Sequence, residues 1–335
     1  MTETKRLILV LGMHRGGTSA ATRGLAALGV ALGGRLMPPH AINEKGFFED
    51  LDIYELDEAL LATLGETWHG FLPIPPERFL ESAVQSMREK ALVLLREKLA
   101  SAPIFGIKDP RLPRLLPFWL AVAREAKADV SALIVSRHPQ AVAASLQEVA
   151  GFQKEKSHLL WLQAMLAAEA GTRDMRRVVV DYDALLSDPA TQLSRVATRL
   201  GLEADAAALA AYAAFLDPRL RHFHAGDAGV LPEAERLHGL LAVLARDGAV
   251  PQAAFDRLAS WQATLLPSLS WMRFADTTIT QLQVEQARLE ADLSAARTRI
   301  AGLESSTSWR ITAPLRALAR ALRGYRPPGK GGAAA

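Results

Sequence analysis

Four short apolar segments, each followed directly by polar or glycine-rich residues, constrain the fold of this chain most. They span residues 7–11, 104–107, 130–135 and 178–180. Helical periodicity fills the intervals, for example over residues 18–28, 51–64 and 89–99. Strands that alternate with helices pair in parallel, so we predict an α/β fold with a central parallel sheet flanked by helices. Ligands of such sheets bind beyond the carboxyl ends of the strands, which makes the residues after each segment the candidate site.

Charge and cysteine content exclude several classes of function. The chain of 335 residues has a net charge of +3, but residues 306–335 carry six basic side chains and no acidic one, which leaves residues 1–305 at −3. A nucleic-acid-binding domain needs basic residues over a folded face, so we expect no nucleic acid partner. The absence of cysteine excludes disulfides, a thiolate nucleophile and cysteine-ligated metal sites, and we expect no metal.

The chain is predicted to have three regions: a domain over 1–275, a coiled-coil helix over 276–305 and a basic amphipathic tail over 306–335. In the second region, residues recur at alternating spacings of three and four. They are Ile279, Leu282, Gln286, Leu289, Leu293, Ala296, Ile300 and Leu303. This heptad pattern predicts self-association through 279–303. The alternative is one long amphipathic helix that folds back on the body of the protein.

The third region has a second apolar stripe along a predicted helix. Arginines follow stripe residues by one position and so lie beside the stripe. The stripe consists of Ile311, Leu315, Leu318 and Leu322. A basic amphipathic helix suits a membrane surface or an acidic partner, so we expect a peripheral membrane contact through 310–326, with a solvated helix as the alternative. The apolar run near the N-terminus is too short to span a membrane, and no signal-peptide pattern follows it. We therefore expect a cytoplasmic protein, and a disordered end after about residue 329.

Residues 12–19 follow the first predicted strand and begin a helix. Their glycines let backbone N–H groups curl around an anion, and the helix N-terminus adds a favourable dipole. The spacing nearly fits a phosphate-binding P-loop, but Thr18 stands where the P-loop lysine belongs, and a cation, Arg15, comes earlier. The loop suits a single phosphate group better than a magnesium–triphosphate complex. This counts against the alternative that the chain is an ATP-dependent small-molecule kinase.

The loop resembles the 5′-phosphosulfate-binding loop of sulfotransferases that use 3′-phosphoadenylyl sulfate (PAPS). Arg15 occupies the place of the basic residue that precedes the Gly-Thr of that loop. Arg137 at a predicted strand end and Ser145 eight residues later are similar to the motif that binds the 3′-phosphate of the donor. The resemblance is closest to the bacterial sulfotransferase-like group and covers roughly residues 5–225.

Two further segments carry the resemblance. Residues 180–189 are similar to the family's Tyr-Glu-Asp-Leu…Asp-Pro stretch, whose tyrosine contacts the nucleotide, although Asp183 replaces the glutamate. Residues 106–111 resemble the family's Lys-Asp-Pro motif, whose lysine lies near the transferring group. The four motifs occur in the expected order, each after its own predicted strand.

The resemblance implies a P-loop NTPase-like sulfotransferase fold and the transfer of a sulfuryl group from PAPS to a hydroxyl, which leaves the product 3′-phosphoadenosine 5′-phosphate (PAP). Two separate anion sites would bind opposite ends of one adenosine, and Arg15 and Lys108 would stabilise the leaving phosphate. The expected nucleotide-binding residues are His14, Arg15, Gly16, Gly17, Thr18, Ser19, Arg137, Ser145 and Tyr182.

The resemblance also implies a Glu or His base soon after the helix of the loop. His40, Glu44, Glu49 and Asp50 are the candidates. We favour Glu49, because Gly-Phe-Phe precedes it and an apolar setting would raise the pKa of its carboxyl. Glu49 also precedes a predicted helix, so its alternative role is an acid at the positive end of the helix dipole.

The sequence leaves the roles of several other polar and aromatic residues undecided. A cluster within 217–224 contains Arg219, Arg221, His222 and His224, which would either close over the nucleotide or acceptor or form an exposed loop. We expect three tryptophans in the core rather than as sugar platforms. They are Trp68, Trp119 and Trp161.

Residues 308–316 resemble an ending found on bacterial glycosyltransferases, which points to a glycan acceptor. A competing hypothesis is a non-catalytic scaffold that works through its heptad and its basic tail. The polar motifs at the predicted strand ends argue against that hypothesis, because a scaffold has no need of them.

Overall fold

A parallel four-stranded sheet organises the first of the two compact units into which the chain divides, Met1–Pro267 and Ser268–Ala335. The computed structural model describes residues 5–40, 43–216, 229 and 231–322. The strands are β1 (Arg6–Leu11), β2 (Ile104–Lys108), β3 (Asp129–Ser136) and β4 (Arg176–Asp181). Their order is β2-β1-β3-β4, and every neighbouring pair is parallel, which confirms the predicted sheet.

Helices occupy the intervals between the strands and continue to the end of the unit. They are α1 (Thr18–Ala27), α2 (Leu51–Thr63), α3 (Ser82–Ser101), α4 (Leu112–Glu125), α5 (Pro139–Ala150), α6 (Lys154–Gly171), α7 (Tyr182–Ser187), α8 (Pro189–Leu200), α9 (Ala206–Phe215) and α10 (Pro232–Leu244), with a 3₁₀ turn at Pro76–Leu80. Helix α11 (Gln252–Ser305) contains the boundary between the two units.

The central strands are buried on both faces. Leu7, Ile8, Leu9 and Leu11 have no exposed surface, because helices cover the sheet on either side. Burial on both faces explains why the strands read as continuous apolar runs in the sequence rather than as alternating patterns.

The register of the strands brings the candidate residues to one edge of the sheet. Val10 pairs with Lys108, Leu11 pairs with Ile134, and Ser136 pairs with Asp181. The loop after β1 therefore emerges between Lys108 on one side and the residues after β3 on the other. This placement follows from the strand order, in which β1 lies between β2 and β3.

In the second unit, the heptad positions lie on the C-terminal part of α11. Their six leucine and isoleucine side chains are more than half exposed, for example Leu282 at 65% and Leu293 at 51%. Two short helices follow, α12 (Thr307–Ile311) and α13 (Ala313–Leu322).

None of the helices in the described part of the chain combines the length and apolar content needed to span a bilayer. The cluster at 217–224 and the residues after 322 lie outside the described residues, so the expectations for them remain predictions.

Candidate active site

A cavity of about 540 Å³ lies at the carboxyl edge of the sheet. It brings together Lys108 and all of the expected nucleotide-binding residues except Gly16. Those in its lining are His14, Arg15, Gly17, Thr18, Ser19, Arg137, Ser145 and Tyr182. Gly16 and Glu49 are not among the residues that line it. The four motifs are thus parts of one site, as their positions after the strands predict.

The loop after β1 is a tight turn that requires glycine at position 17. The Gly16 N–H donates to the Met13 carbonyl at 2.9 Å, and Arg15 and Gly17 both have positive φ, 63° and 86°. A Cβ on Gly17 would lie 2.1 Å from the Tyr182 ring. The Tyr182 ring therefore packs directly against the loop, at a distance that only glycine permits.

The two predicted anion sites adjoin each other. The Arg15 Nε donates to the Ser145 Oγ at 2.9 Å, and the Arg137 guanidinium donates to the Arg15 carbonyl at 3.0 Å. The sites meet because β1 and β3 are neighbours in the sheet, so the loop after β1 adjoins the start of α5. That they bind opposite ends of one adenosine stays a prediction.

Arg137 is held from two sides. Its carbonyl accepts from the Trp161 indole at 3.0 Å, and its guanidinium lies 4.8 Å from the centre of the Tyr182 ring. The side chain of the next residue, His138, caps α5 by accepting from the Gln140 N–H at 3.3 Å. These contacts hold the Arg137 side chain in the wall of the cavity.

Lys108 is buried at the end of β2, with 4% of its surface exposed. Its Nζ donates to the Glu49 carboxylate at 2.5 Å, to the Phe47 carbonyl at 2.9 Å and to the Ser19 Oγ at 3.3 Å. Three acceptors fix the ammonium group in the lining of the cavity.

Glu49 is buried in the apolar setting that the sequence predicts, with 5% of its surface exposed. Burial raises the pKa of its carboxyl above the usual value, the Lys108 ammonium opposes that rise, and Asp109 adds to it. Glu49 is therefore a buried carboxyl with a raised pKa, paired with Lys108, one of the cationic residues of the cavity.

The other candidates for the base occupy different settings. The Asp50 carboxylate caps α2, accepting from the Asp52 N–H at 3.0 Å, and pairs with Lys98 at 2.7 Å, which is a structural role. Glu44 is exposed and lines the cavity. His40 is exposed and exchanges backbone hydrogen bonds with Asn43.

His14 has an environment that keeps its imidazole neutral. Burial lowers its pKa well below the ordinary value, and the neighbouring cations Arg111, Lys108 and Arg15 lower it further. A neutral imidazole beside three cations adds hydrogen-bonding capacity to the cavity without adding charge.

Trp68 is a residue of the cavity that sequence reasoning assigned wrongly. Its ring centre lies 4.3 Å from that of His14. The Trp68 ring also stacks on the Phe152 ring, with 5.5 Å between the two centres. Trp119 and Trp161 are fully buried, as expected, whereas Trp68 is half-buried and lines the cavity. Its place in a loop with glycine and prolines nearby was the signal that distinguishes it from the two helical tryptophans.

Residues 43–48 have a structural role that their sequence does not indicate, apart from Glu44 as a candidate base. The Asn43 side-chain amide donates to the Ser19 Oγ at 3.2 Å, and the Lys45 ammonium donates to the Phe215 carbonyl at 2.5 Å. The segment forms one wall of the cavity and joins the loop after β1 to the end of α9.

Comparison with known proteins identifies the family of this chain. A model described as "Sulfotransferase family" matches residues 8–206, more than half of the chain, and the chain belongs to that family. It is a sulfotransferase, an enzyme that transfers sulfuryl groups. No curated protein gives a significant match.

Two solved structures are distantly similar. The sulfotransferase domain from the olefin synthase of Synechococcus PCC 7002 is 18% identical, with a TM-score of 0.39, over 78% of this chain and 97% of that one. The sulfotransferase domain from the curacin biosynthetic pathway is 15% identical, with a TM-score of 0.37, over 78% of this chain and 99% of that one. Likenesses at this level carry no argument about substrate.

Proposed function

We propose that this sulfotransferase uses PAPS as its donor and a hydroxyl of a glycan or glycoconjugate as its acceptor. The observation that supports the donor most is the contact between Arg15 and Ser145 in the cavity. PAPS carries its 5′-phosphosulfate and its 3′-phosphate on one ribose, so two adjoining anion sites suit it.

The loop after β1 would bind the 5′-phosphosulfate through backbone N–H groups and the hydroxyls of Thr18 and Ser19. Arg137, Ser145 and the N-terminus of α5 would bind the 3′-phosphate, where charge-assisted hydrogen bonds are strongest. Tyr182, packed against Gly17 and under the Arg137 guanidinium, would bound the site beside the ribose.

In the transfer step, the acceptor oxygen forms a bond to sulfur while the bond from sulfur to the phosphate oxygen of PAPS breaks. The acceptor proton goes to a carboxylate base, and PAP leaves with the electrons of the broken bond. Lys108 and Arg15 would stabilise the charge that develops on the leaving phosphate. We assign the base to Glu49, which contacts Lys108, with Glu44 as the competitor because it lines the cavity.

The charges and the shape of the cavity support an uncharged acceptor. One carboxylate, that of Glu44, lines it together with four cations: Arg15, Lys45, Lys108 and Arg137. The phosphates and the sulfate of the donor would neutralise these cations, so a polyanionic acceptor would meet a site without spare positive charge. The half-buried face of Trp68 offers a flat apolar surface for a sugar ring.

The donor assignment predicts that the protein binds PAP and that Arg137→Ala weakens this binding by about 10- to 150-fold. The size follows from about 1.5–3 kcal/mol for a hydrogen bond to a charged group. Isothermal titration calorimetry measures it, with Arg199→Ala as the control because Arg199 is half-exposed and pairs with Asp247. Tight Mg-ATP binding without a response to PAP would support the kinase alternative instead.

We also propose that residues 279–303 form a coiled coil with a second copy of the chain. In a parallel pair, Asp292 would face Arg297 of the second copy, and Arg299 would face Glu304. Glu285 would face Glu290 of the second copy and repel it. Each side of the coiled coil would then have two attractive pairs and one repulsive pair. The exposed apolar stripe at the heptad positions supports the same arrangement.

The coiled coil predicts a concentration-dependent dimer that Leu289→Asp disrupts. A charge at this core position should raise the dissociation constant at least ~100-fold, since each buried leucine contributes about 2–5 kcal/mol. Ala291→Asp, which places the same charge on the outer face of the helix, should leave the dimer intact. Analytical ultracentrifugation of the full chain measures both, and a wild-type monomer at every concentration would refute the coiled coil.

For location, we propose the cytoplasm, with 310–326 contacting the inner face of the membrane. Ile311, Leu315 and Leu318 are 60–72% exposed. Arg316 lies 3.7 Å from the centre of the Trp309 ring, an amphipathic pair of the kind found at membrane interfaces. Residues 323–326 lie outside the described part of the chain.

A further inference from the structure

We propose that His138, Glu235 and His238 form a zinc-binding site, separate from the sulfuryl-transfer step and independent of the proposed donor. His138 lies two residues beyond the end of β3. Glu235 and His238 lie one turn apart on α10. One ligand atom from each of the three residues lies within 4.8 Å of the other two. The ligands come from segments far apart in sequence, so no local spacing motif marks them, and the expectation of no metal followed from the absence of cysteine.

The distances suit a small tetrahedral ion after modest closure. The His138 Nε2 lies 3.3 Å from a Glu235 carboxylate oxygen, and the two imidazole centres are 4.8 Å apart. Zinc bonds of about 2.0–2.1 Å at the tetrahedral angle place ligand atoms about 3.4 Å apart. The Glu235 side chain is 54% exposed and has room to move toward an ion, while both imidazoles are under a fifth exposed.

Several carboxylates surround His238. Those of Asp181, Glu235 and Asp183 act on it electrostatically, as does the neighbouring His138 ring. The Asp181 carboxylate lies 3.8 Å from the His238 Nε2 and would orient that ring after a small movement. A carboxylate behind a histidine ligand is the usual outer-shell arrangement of zinc sites.

Zinc binding would break one hydrogen bond of the metal-free chain, which lowers the expected affinity for zinc. In the metal-free chain, the His138 Nδ1 accepts from the Gln140 N–H at 3.3 Å. Ligation through Nε2 moves the ring proton to Nδ1, so this long bond at the start of α5 is lost. We therefore expect weaker binding than at a four-ligand structural zinc site.

Two imidazoles and one carboxylate match zinc better than magnesium or calcium, which prefer oxygen ligands alone. A bound ion would join α10 to the segment that carries Arg137. Since His138 adjoins Arg137, and Trp161 contacts both Arg137 and His238, the ion would stabilise the wall behind the predicted 3′-phosphate site.

The test titrates zinc chloride into the metal-stripped full-length chain and measures stoichiometry by calorimetry and the shift of the melting temperature. We expect one zinc per chain and a higher melting temperature. Glu235→Gln and His238→Gln should each weaken binding by at least ~10–100-fold, the loss that even outer-shell changes cause. Glu233→Gln, on the first turn of the same helix, is the matched control and should bind like the wild type.

Unchanged melting of Glu235→Gln and His238→Gln in the presence of a chelator shows that both variants fold. The absence of stoichiometric zinc binding by the wild type would overturn the proposal, as would zinc binding that both variants retain. A double His222→Gln, His224→Gln variant that loses the zinc would place the site in the histidine-rich segment instead. Because the readout is zinc rather than PAP, a failed donor assignment leaves this test intact.

Discussion

Gly17→Ala is expected to abolish PAP binding and to lower the free energy of unfolding by about 2–5 kcal/mol. A methyl group at position 17 would lie 2.1 Å from the Tyr182 ring, at a residue whose φ is +86°. The left-handed conformation costs an alanine about 1–2 kcal/mol, and overpacking adds about 1–3 kcal/mol. Relief requires the Tyr182 ring to move, which disturbs the Arg137 guanidinium stacked on it.

Gly29→Ala is the matched control. Gly29 has nearly the same backbone conformation, with φ at +80°, but nothing lies within 4 Å of a Cβ built on it. In the Gly29→Ala variant, the free energy of unfolding should fall only by the conformational cost, about 1–2 kcal/mol. This variant should bind PAP normally. Chemical denaturation and calorimetry of both variants separate the two contributions. Equal unfolding free energies together with normal PAP binding by Gly17→Ala would show that the Tyr182 contact does not shape the site.

The sheet was predictable because its strands are buried on both faces. Such strands leave continuous apolar runs, and each of the four predicted segments lies within an observed strand. The convergence of the candidate nucleotide-binding residues was predictable for a related reason: parallel strands end at one edge, so short motifs that follow them must meet there.

Relations between side chains from different motifs were not predictable. The Arg15–Ser145 hydrogen bond depends on β1 and β3 being neighbours, and strand order does not follow from apolar runs. The Lys108–Glu49 ion pair joins residues that sequence reasoning assigned to separate roles. Asp50 differs from Glu49 by one position, yet it faces the N-terminus of α2 and Lys98, and only the backbone geometry decides that.

Glu49→Gln is expected to lower the rate of sulfuryl transfer by about 10²–10⁴-fold, the usual contribution of an oriented base. The substitution keeps an oxygen that can accept from Lys108 and removes the group able to take the acceptor proton. PAP binding should change far less, since the contact of Glu49 is with Lys108 and Glu49 takes no part in the two predicted anion sites. Transfer of labelled sulfate from PAPS to a panel of neutral carbohydrates measures the rate.

The pH dependence distinguishes a base from a residue that only positions Lys108. Burial raises the pKa of Glu49, so wild-type activity should fall as the pH drops through a value above that of an ordinary carboxyl. That acidic limb should vanish in Glu49→Gln and persist in Glu44→Gln. A slower Glu49→Gln enzyme that keeps the limb would assign Glu49 to the positioning of Lys108, and loss of the limb in Glu44→Gln alone would make Glu44 the base.

The pH dependence of the unfolding free energy gives an independent check on the pKa of Glu49. Because the pKa of Glu49 is higher in the folded chain than in the unfolded chain, its contribution to stability is present below the unfolded pKa and is lost as the pH rises through the folded pKa. Glu49→Gln cannot titrate, so between those two values its unfolding free energy should vary less with pH than that of the wild type. The same pH profile in both proteins would mean that Lys108 cancels the effect of burial, and that Glu49 is an ordinary ionised partner rather than a carboxyl tuned for proton transfer.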